Sequence, residues 1–176
     1  MEDSLMPSYA QFDQWQTTAG VTGVVLDSNG RVTAPNQVYV YARCGTSQSS
    51  YSLTASTTHI MQYNSAPVNV GNCWNTSTYR FTAPIAGRYF VYAHGQINGT
   101  TGSWAWNMGI WKNGSIQDGV YEGGNGLSYQ KLHITGIVTC AVNDYIDIRL
   151  IQNVTSGSIE YTSPDQRFAC HIHLLS

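Results

Sequence analysis

Three histidines are the residues of this chain best placed to do chemistry. In the run Phe168-Ala-Cys-His-Ile-His-Leu-Leu, strand alternation puts Phe168, Cys170, Ile172 and Leu174 on one face. His171 and His173 fall on the other. His94 alternates in the same way and shares a face with Phe90 and Tyr92. Imidazoles that meet on one surface can ligate a transition metal or change charge between about pH 5 and 8. They can equally pack as flat neutral rings, and packing is the reading the residues favour. No metal site and no cofactor are expected. No other pattern competes: there is no Gly-x-Ser-x-Gly elbow, no phosphate-cradling glycine loop and no His-Glu-x-x-His run. Asp144 and Asp147 bracket a turn and the strand after it, and their odd spacing separates them onto opposite faces. That disfavours joint acid–base work, and Asp144 reads as a turn acceptor. Trp104 and Trp106 share a face near Trp111, where they either fill the core or stack on sugar rings. The core is the expected place for them. The chain is therefore expected not to be an enzyme.

Strands must hold these groups. Residues 80–83 read as a short strand that stops at Pro84, which has no N–H to give a ladder. Gly87 supplies a turn, and a second strand follows over 88–96. Both of its alternating sets are bulky, with Tyr89, Val91 and Ala93 on one side and Phe90, Tyr92 and His94 on the other. An antiparallel surface strand normally alternates apolar with polar. One with two apolar faces must be covered twice, by its own core and, most simply, by another copy of the chain. Further strands are expected at 38–44, 58–63, 74, 103–112, 115–120, 127–142, 145–153, 158–161 and 168–175. Turn pairs such as Asn113-Gly114 and Asn143-Asp144 lie between them. Many short strands at this spacing predict an all-β sandwich or jelly roll.

Residues 1–36 differ. They are polar, with scattered anchors at Leu5, Met6, Tyr9, Phe12 and Trp15, and a short helix is expected over 9–17. Residues 21–26 and 31–33 flank Asn29-Gly30, a hairpin signal, and Ala34-Pro35-Asn36 reads as a linker. The chain is thus expected to be an N-terminal arm and hairpin (1–36) followed by a head (37–176).

Charged residues make up only 10 % of the chain, against roughly 25 % in ordinary domains. Twelve Tyr, five Trp and four Phe accompany them, a composition suited to surfaces covered by neighbours. A net charge of −2 without any Lys/Arg cluster offers no field for nucleic acid. No apolar run approaches the ~20 residues of a membrane-spanning helix. The start lacks a signal-peptide pattern, so folding in a cytoplasm is expected, with its four widely spaced cysteines as buried thiols.

The run 79–94 resembles the signature of the C1q-like globular head, a jelly roll of the tumour-necrosis-factor-like superfamily. Phe81, Pro84, Gly87 and Tyr89 match its core motif, while Val91 and Ala93 stand where that family usually has aromatics. Residues 108–114 resemble the family's central hairpin, 138–150 its Gly-Asp strand pair and 168–175 its last strand. The resemblance implies a homotrimer. It also implies that the last strand lies beside the Tyr89 strand, so that Phe90, Tyr92, His94, His171 and His173 face the trimer interface.

Segment 24–36 is similar to stretches that precede such heads in proteins of tailed bacteriophages, and no repetitive shaft separates arm from head. The expectation is a trimeric capsid cement or decoration protein, assembled in the host cytoplasm and carried on the virion surface. Its arm (Leu5, Met6, Tyr9, Phe12, Trp15) would bind the major capsid protein and its head would project outward. The alternative is the receptor-binding tip of a tail fibre, recognising a host-surface glycan or protein.

Overall fold

The computed structural model describes residues 14–16, 22–26, 29–45, 48–53, 57–98, 103–125, 129–152, 157–161 and 168–176. Among them there are strands, turns and no helix. The chain divides into two compact units, Met1–Gln37 and Val38–Ser176.

The first unit holds a small antiparallel sheet of β1 (Gln14–Gln16), β2 (Thr22–Leu26) and β3 (Val32–Thr33). The hairpin expected around Asn29-Gly30 forms, with Val25 opposite Thr33 and Gly30 at φ 75°. The helix expected over 9–17 does not: Gln14, Trp15 and Gln16 are extended and lie opposite Val25, Val24 and Thr22. The open edge of the hairpin offers hydrogen bonds that a polar segment of under three turns cannot match with a helix of its own. The rest of that expected helix, and Leu5, Met6, Tyr9 and Phe12, lie outside the described residues.

The second unit is a sandwich of two sheets. Its strands begin with β4 (Tyr39–Arg43), β5 (Gln48–Leu53), β6 (Thr58–Ile60), β7 (Ser65–Val70), β8 (Trp74–Asn75) and β9 (Arg80–Thr82). They continue with β10 (Gly87–Asn98), β11 (Ser103–Lys112), β12 (Ser115–Asn125) and β13 (Tyr129–Cys140). β14 (Tyr145–Gln152), β15 (Gly157–Tyr161) and β16 (Ala169–Leu174) complete it. In the first sheet β10 is central. β13 pairs with it along its whole length, while β16 and then β15 share its other edge, and β4 and β7 follow β16. The second sheet runs β12-β11-β14-β9-β8, with β6 also on β14. Consecutive strands repeatedly fall in opposite sheets, as in a jelly roll.

Alternation explains what each strand buries. Val40, Val91, Ala93, Cys170 and Ile172 of the first sheet face Trp106, Met108, Ile110, Ile148 and Leu150 of the second, all within 1 % of full burial. Trp106 is thus a core residue, as expected, whereas the side chain of Trp104 lies outside the described ones. Asn113 and Gly114 close the β11–β12 hairpin at φ 49° and 82°, the left-handed pair that a two-residue turn demands. Asp144 works as a turn acceptor: it takes the Asn113 amide at 2.7 Å and the Ala141 N–H at 2.9 Å. The Asn113 bond, then the Ala141 N–H, holds its carboxyl below the usual range.

All four cysteines are buried free thiols. Burial pushes Cys73 and Cys140 up to about 11 from 9.0, and raises Cys170 as well. A rise of two units lowers the thiolate fraction at pH 8 by ~100-fold, and the thiolate is the reactive form. In the native protein Cys73 and Cys140 should therefore react with a disulfide reagent at least ~100-fold more slowly than after denaturation. Rapid native labelling of either one would contradict their placement.

Candidate functional site

The face of the first sheet that looks away from the core is built in rungs. Tyr39, His173, Phe90 and Ile137 are successive cross-strand partners on β4, β16, β10 and β13. Two residues along, the rung is Tyr41, His171, Tyr92 and Thr135. The next is Arg43, Ala169, His94 and His133. Val70 and Val68 of β7 extend the first two rungs. One end of the face is thus apolar and the other is basic.

The rings form a contiguous surface. Tyr41 stacks on His171 with centroids 4.7 Å apart, and Tyr39 meets His173 edge-on at 5.8 Å. Tyr92 touches both His94, at 5.5 Å, and His171, at 6.0 Å. The Tyr39 hydroxyl and His171 Nδ1 share a hydrogen bond of 3.0 Å. Burial, reinforced by the neighbouring His94, lowers the pKa of His171 from its ordinary 6.5. Yet the face is not sealed: Phe90 is 38 % exposed and Ile137 61 %. Between β10 and β13 a cleft of about 310 Å³ is lined by Tyr92, His94, Gln96, Lys131 and His133.

The five residues read from the sequence as interface groups (Phe90, Tyr92, His94, His171 and His173) therefore share one surface. Sequence reading missed Tyr39, Tyr41, Arg43, His133 and Ile137 on the same surface. Their signal was present, since Tyr39, Tyr41 and Arg43 alternate with the buried Val38, Val40 and Ala42.

The motif residues serve the core. Phe81 and Tyr89 are fully buried and meet edge-to-face at 5.1 Å, and the Tyr89 hydroxyl donates to the Ile85 carbonyl at 2.6 Å. Burial raises the Tyr89 pKa. Pro84 is exposed where β9 ends. At Gly87 a Cβ would stand 2.6 Å from the Ser176 carbonyl and 2.8 Å from Leu174 Cδ1, so any side chain would push β16 off β10. Of the arm anchors only the backbone of Trp15 is described, in β1 opposite Val24.

Elsewhere the chemistry is sparse. Asp147, wholly buried on the outer side of the second sheet, accepts from Arg80 at 3.0 Å and from Arg149 at 2.6 Å. A polar groove of about 540 Å³ at one end of the sandwich is lined by Asn72, Asn75, Thr76, Thr82 and Asn143 among others. Among the described residues no three His, Cys, Asp or Glu side chains come together in a way that would hold a metal.

The same architecture occurs in solved structures. Eiger TNF from S. frugiperda is similar with a TM-score of 0.54 at 10 % identity, over 80 % of this chain and 94 % of that one. The globular domain of the zebrafish complement 1qA protein is similar with a TM-score of 0.50 at 12 % identity, over 80 % and 98 %. No family model matches the chain, and no curated protein sequence matches it. At such identities the likeness concerns the fold: the sheets are those of a C1q/TNF-like jelly roll.

Proposed function

We propose that this chain is a non-enzymatic virion structural protein, a homotrimeric cement protein of a bacteriophage capsid. The observation that carries the trimer is the outer face of β4, β16, β10 and β13. Its rings are ordered against one another, while Phe90 and Ile137 stay exposed at its centre and edge. Adjacent exposed apolar side chains set in an ordered aromatic surface suit an interaction surface. The C1q/TNF-like neighbours support a trimeric head, as does the low charge of the chain. The separate unit Met1–Gln37, with its polar sequence and its anchors Leu5, Met6, Tyr9, Phe12 and Trp15, suits an arm laid on the major capsid protein. Three arms tied into one trimer clamp neighbouring capsomers with a grip that none has alone. Assembly then proceeds in the host cytoplasm and ends on the capsid surface, without nucleic acid or membrane as partner.

Removing residues 1–20 tests this. The truncated chain should remain a folded trimer, since the second unit has its own core. It should bind capsid shells at least ~10-fold more weakly in co-sedimentation, the loss expected when a multivalent anchor goes. Undiminished binding would refute the arm. The second reading, a receptor-binding tip, draws on the neutral amide- and hydroxyl-lined groove beside Asn72 and Asn143, which suits a glycan better than an ion. Hundreds of copies over the shell favour cement, and a handful at one vertex favours the tip.

A further inference from the structure

The ring-built face gathers four histidines, and its described charged side chains, Arg43 and Lys131, are both cations. His94 and His133 are direct cross-strand partners, and His171 lies one rung away, against Tyr92. Arg43 completes the His94 rung with only the small Ala169 between them, and Lys131 lines the cleft beside His133. Arg43 Nε has no hydrogen-bond acceptor among the described residues.

The other groups facing these rings are known strand by strand. β4 supplies Tyr39, Tyr41 and Arg43, and β7 supplies Val68, Val70 and Ser65. β10 adds Tyr92 and Gln96, β13 adds Lys131 and Thr135, and β16 adds His173. Among these described side chains there is no carboxylate. β15 pairs with β10 at Ile97 and Asn98, and its one acid, Glu160, follows Ile159 in the direction of the His94–His133 rung.

We propose that this face is an acid-labile seam, in which protonation of His94, His133 and His171 drives the three copies apart. The proposal rests on the trimer reading above. As neutral rings the imidazoles pack like the aromatic side chains beside them. Once protonated, each adds a cation to a surface that already holds Arg43 and Lys131, and symmetry repeats the addition in all three copies. In a covered, low-dielectric seam like charges repel far more strongly than in water.

The sign follows from His171. Its pKa is already lowered within one copy, by burial first and by His94 second. Covering it in a trimer lowers it further. A group whose pKa is depressed in the assembled state stabilises assembly above its free value. It loses that contribution as pH falls through 6.5 toward the depressed value.

Sedimentation velocity of the full chain at about 1 µM and fixed ionic strength, at pH 8 and pH 5, tests this. Expected are a trimer at pH 8 and a folded protomer at pH 5, reversibly, with the trimer dissociation constant raised at the lower pH. The triple variant His94→Gln, His133→Gln, His171→Gln should stay trimeric at pH 5. Should that variant fail to assemble, the exposed His133→Gln alone should move the dissociation midpoint to lower pH. Equal trimer affinity at both pH values overturns the seam and leaves the trimer standing. Protomers at both pH values overturn the trimer reading itself. Loss of the near-ultraviolet dichroism of the buried Trp106 at pH 5 would assign the change to unfolding and also overturn the proposal.

Discussion

If the proposed trimer forms through the ring-built face, a protein carrying Phe90→Lys together with Ile137→Lys is expected to be a folded protomer at concentrations where the parent assembles. The two residues are direct cross-strand partners and the most exposed large apolar side chains of the ring-built face, at 38 % and 61 %. Because they already meet water in the protomer, the substitutions leave no cavity and cost the fold little. In a trimer they bury six ammonium groups on a surface whose fixed charges, Arg43 and Lys131, are also positive. Burying an unpaired charge costs several kcal/mol even after relaxation. With three kcal/mol per copy the trimer weakens by a factor on the order of a million. Lysine is chosen over glutamate because His173 is Phe90's other neighbour and would pair with an acid. Sedimentation as a trimer with an unchanged melting temperature would show that this face is not the seam, and the proposed function would fall with it.

How much of that face was legible depends on which residues carried a one-sided pattern. In β10 both alternating sets are bulky, so the second set (Phe90, Tyr92, His94) demanded a covering surface from sequence alone. In β16 the histidines interleave with Cys170 and Ile172, and the resemblance implied that this strand lies beside β10; their register came only with the structure. β13 hid its contribution: Lys131, His133, Thr135 and Ile137 mix a cation, an imidazole, a hydroxyl and an alkane, which reads as an ordinary wet face. Only its register against β10 places His133 and Ile137 on the ring-built face. β7 escaped notice because Ser65–Val70 contains Pro67, which argues against a central strand. The strand sits at the sheet's edge, pairing β4 alone, where proline is tolerated. Three-residue β1 was beyond any periodicity, and its hydrogen-bond partner, not its own residues, made it a strand.

Asp147 was the least legible residue, and replacing it should cost the most stability. Its place between Tyr145 and Arg149 on the outer side of β14 predicts a solvated acid, yet it is fully buried. Two cations roof it over. The Arg149 guanidinium donates through Nε and Nη2 at 2.6 and 3.1 Å and lies 4.4 Å over the Trp111 ring. Arg80 donates at 3.0 Å and lies 4.4 Å over the Tyr145 ring. The Asp147 hydrogen bond, ahead of the opposing effect of burial, raises the Arg149 pKa. Asp147→Ala leaves both guanidiniums without their acceptor, and cutting a buried pair on one side costs about 3–5 kcal/mol. Arg80 keeps 34 % of its side chain in water, which favours the lower end, about 3 kcal/mol. For a domain of this size the melting temperature should fall by roughly 6–12 °C at fixed protomer concentration. Lys112→Ala is the control, because its 3.8 Å contact with Asp144 joins two partly exposed groups and should matter by less than ~1 kcal/mol. Replacing the whole cluster, with Asp147→Leu, Arg80→Met and Arg149→Met, should recover most of the loss, since an apolar trio carries no desolvation debt. If Asp147→Ala melts within 2 °C of the parent, roughly the shift from less than one kcal/mol, the cluster is not what holds β9 and β11 to β14.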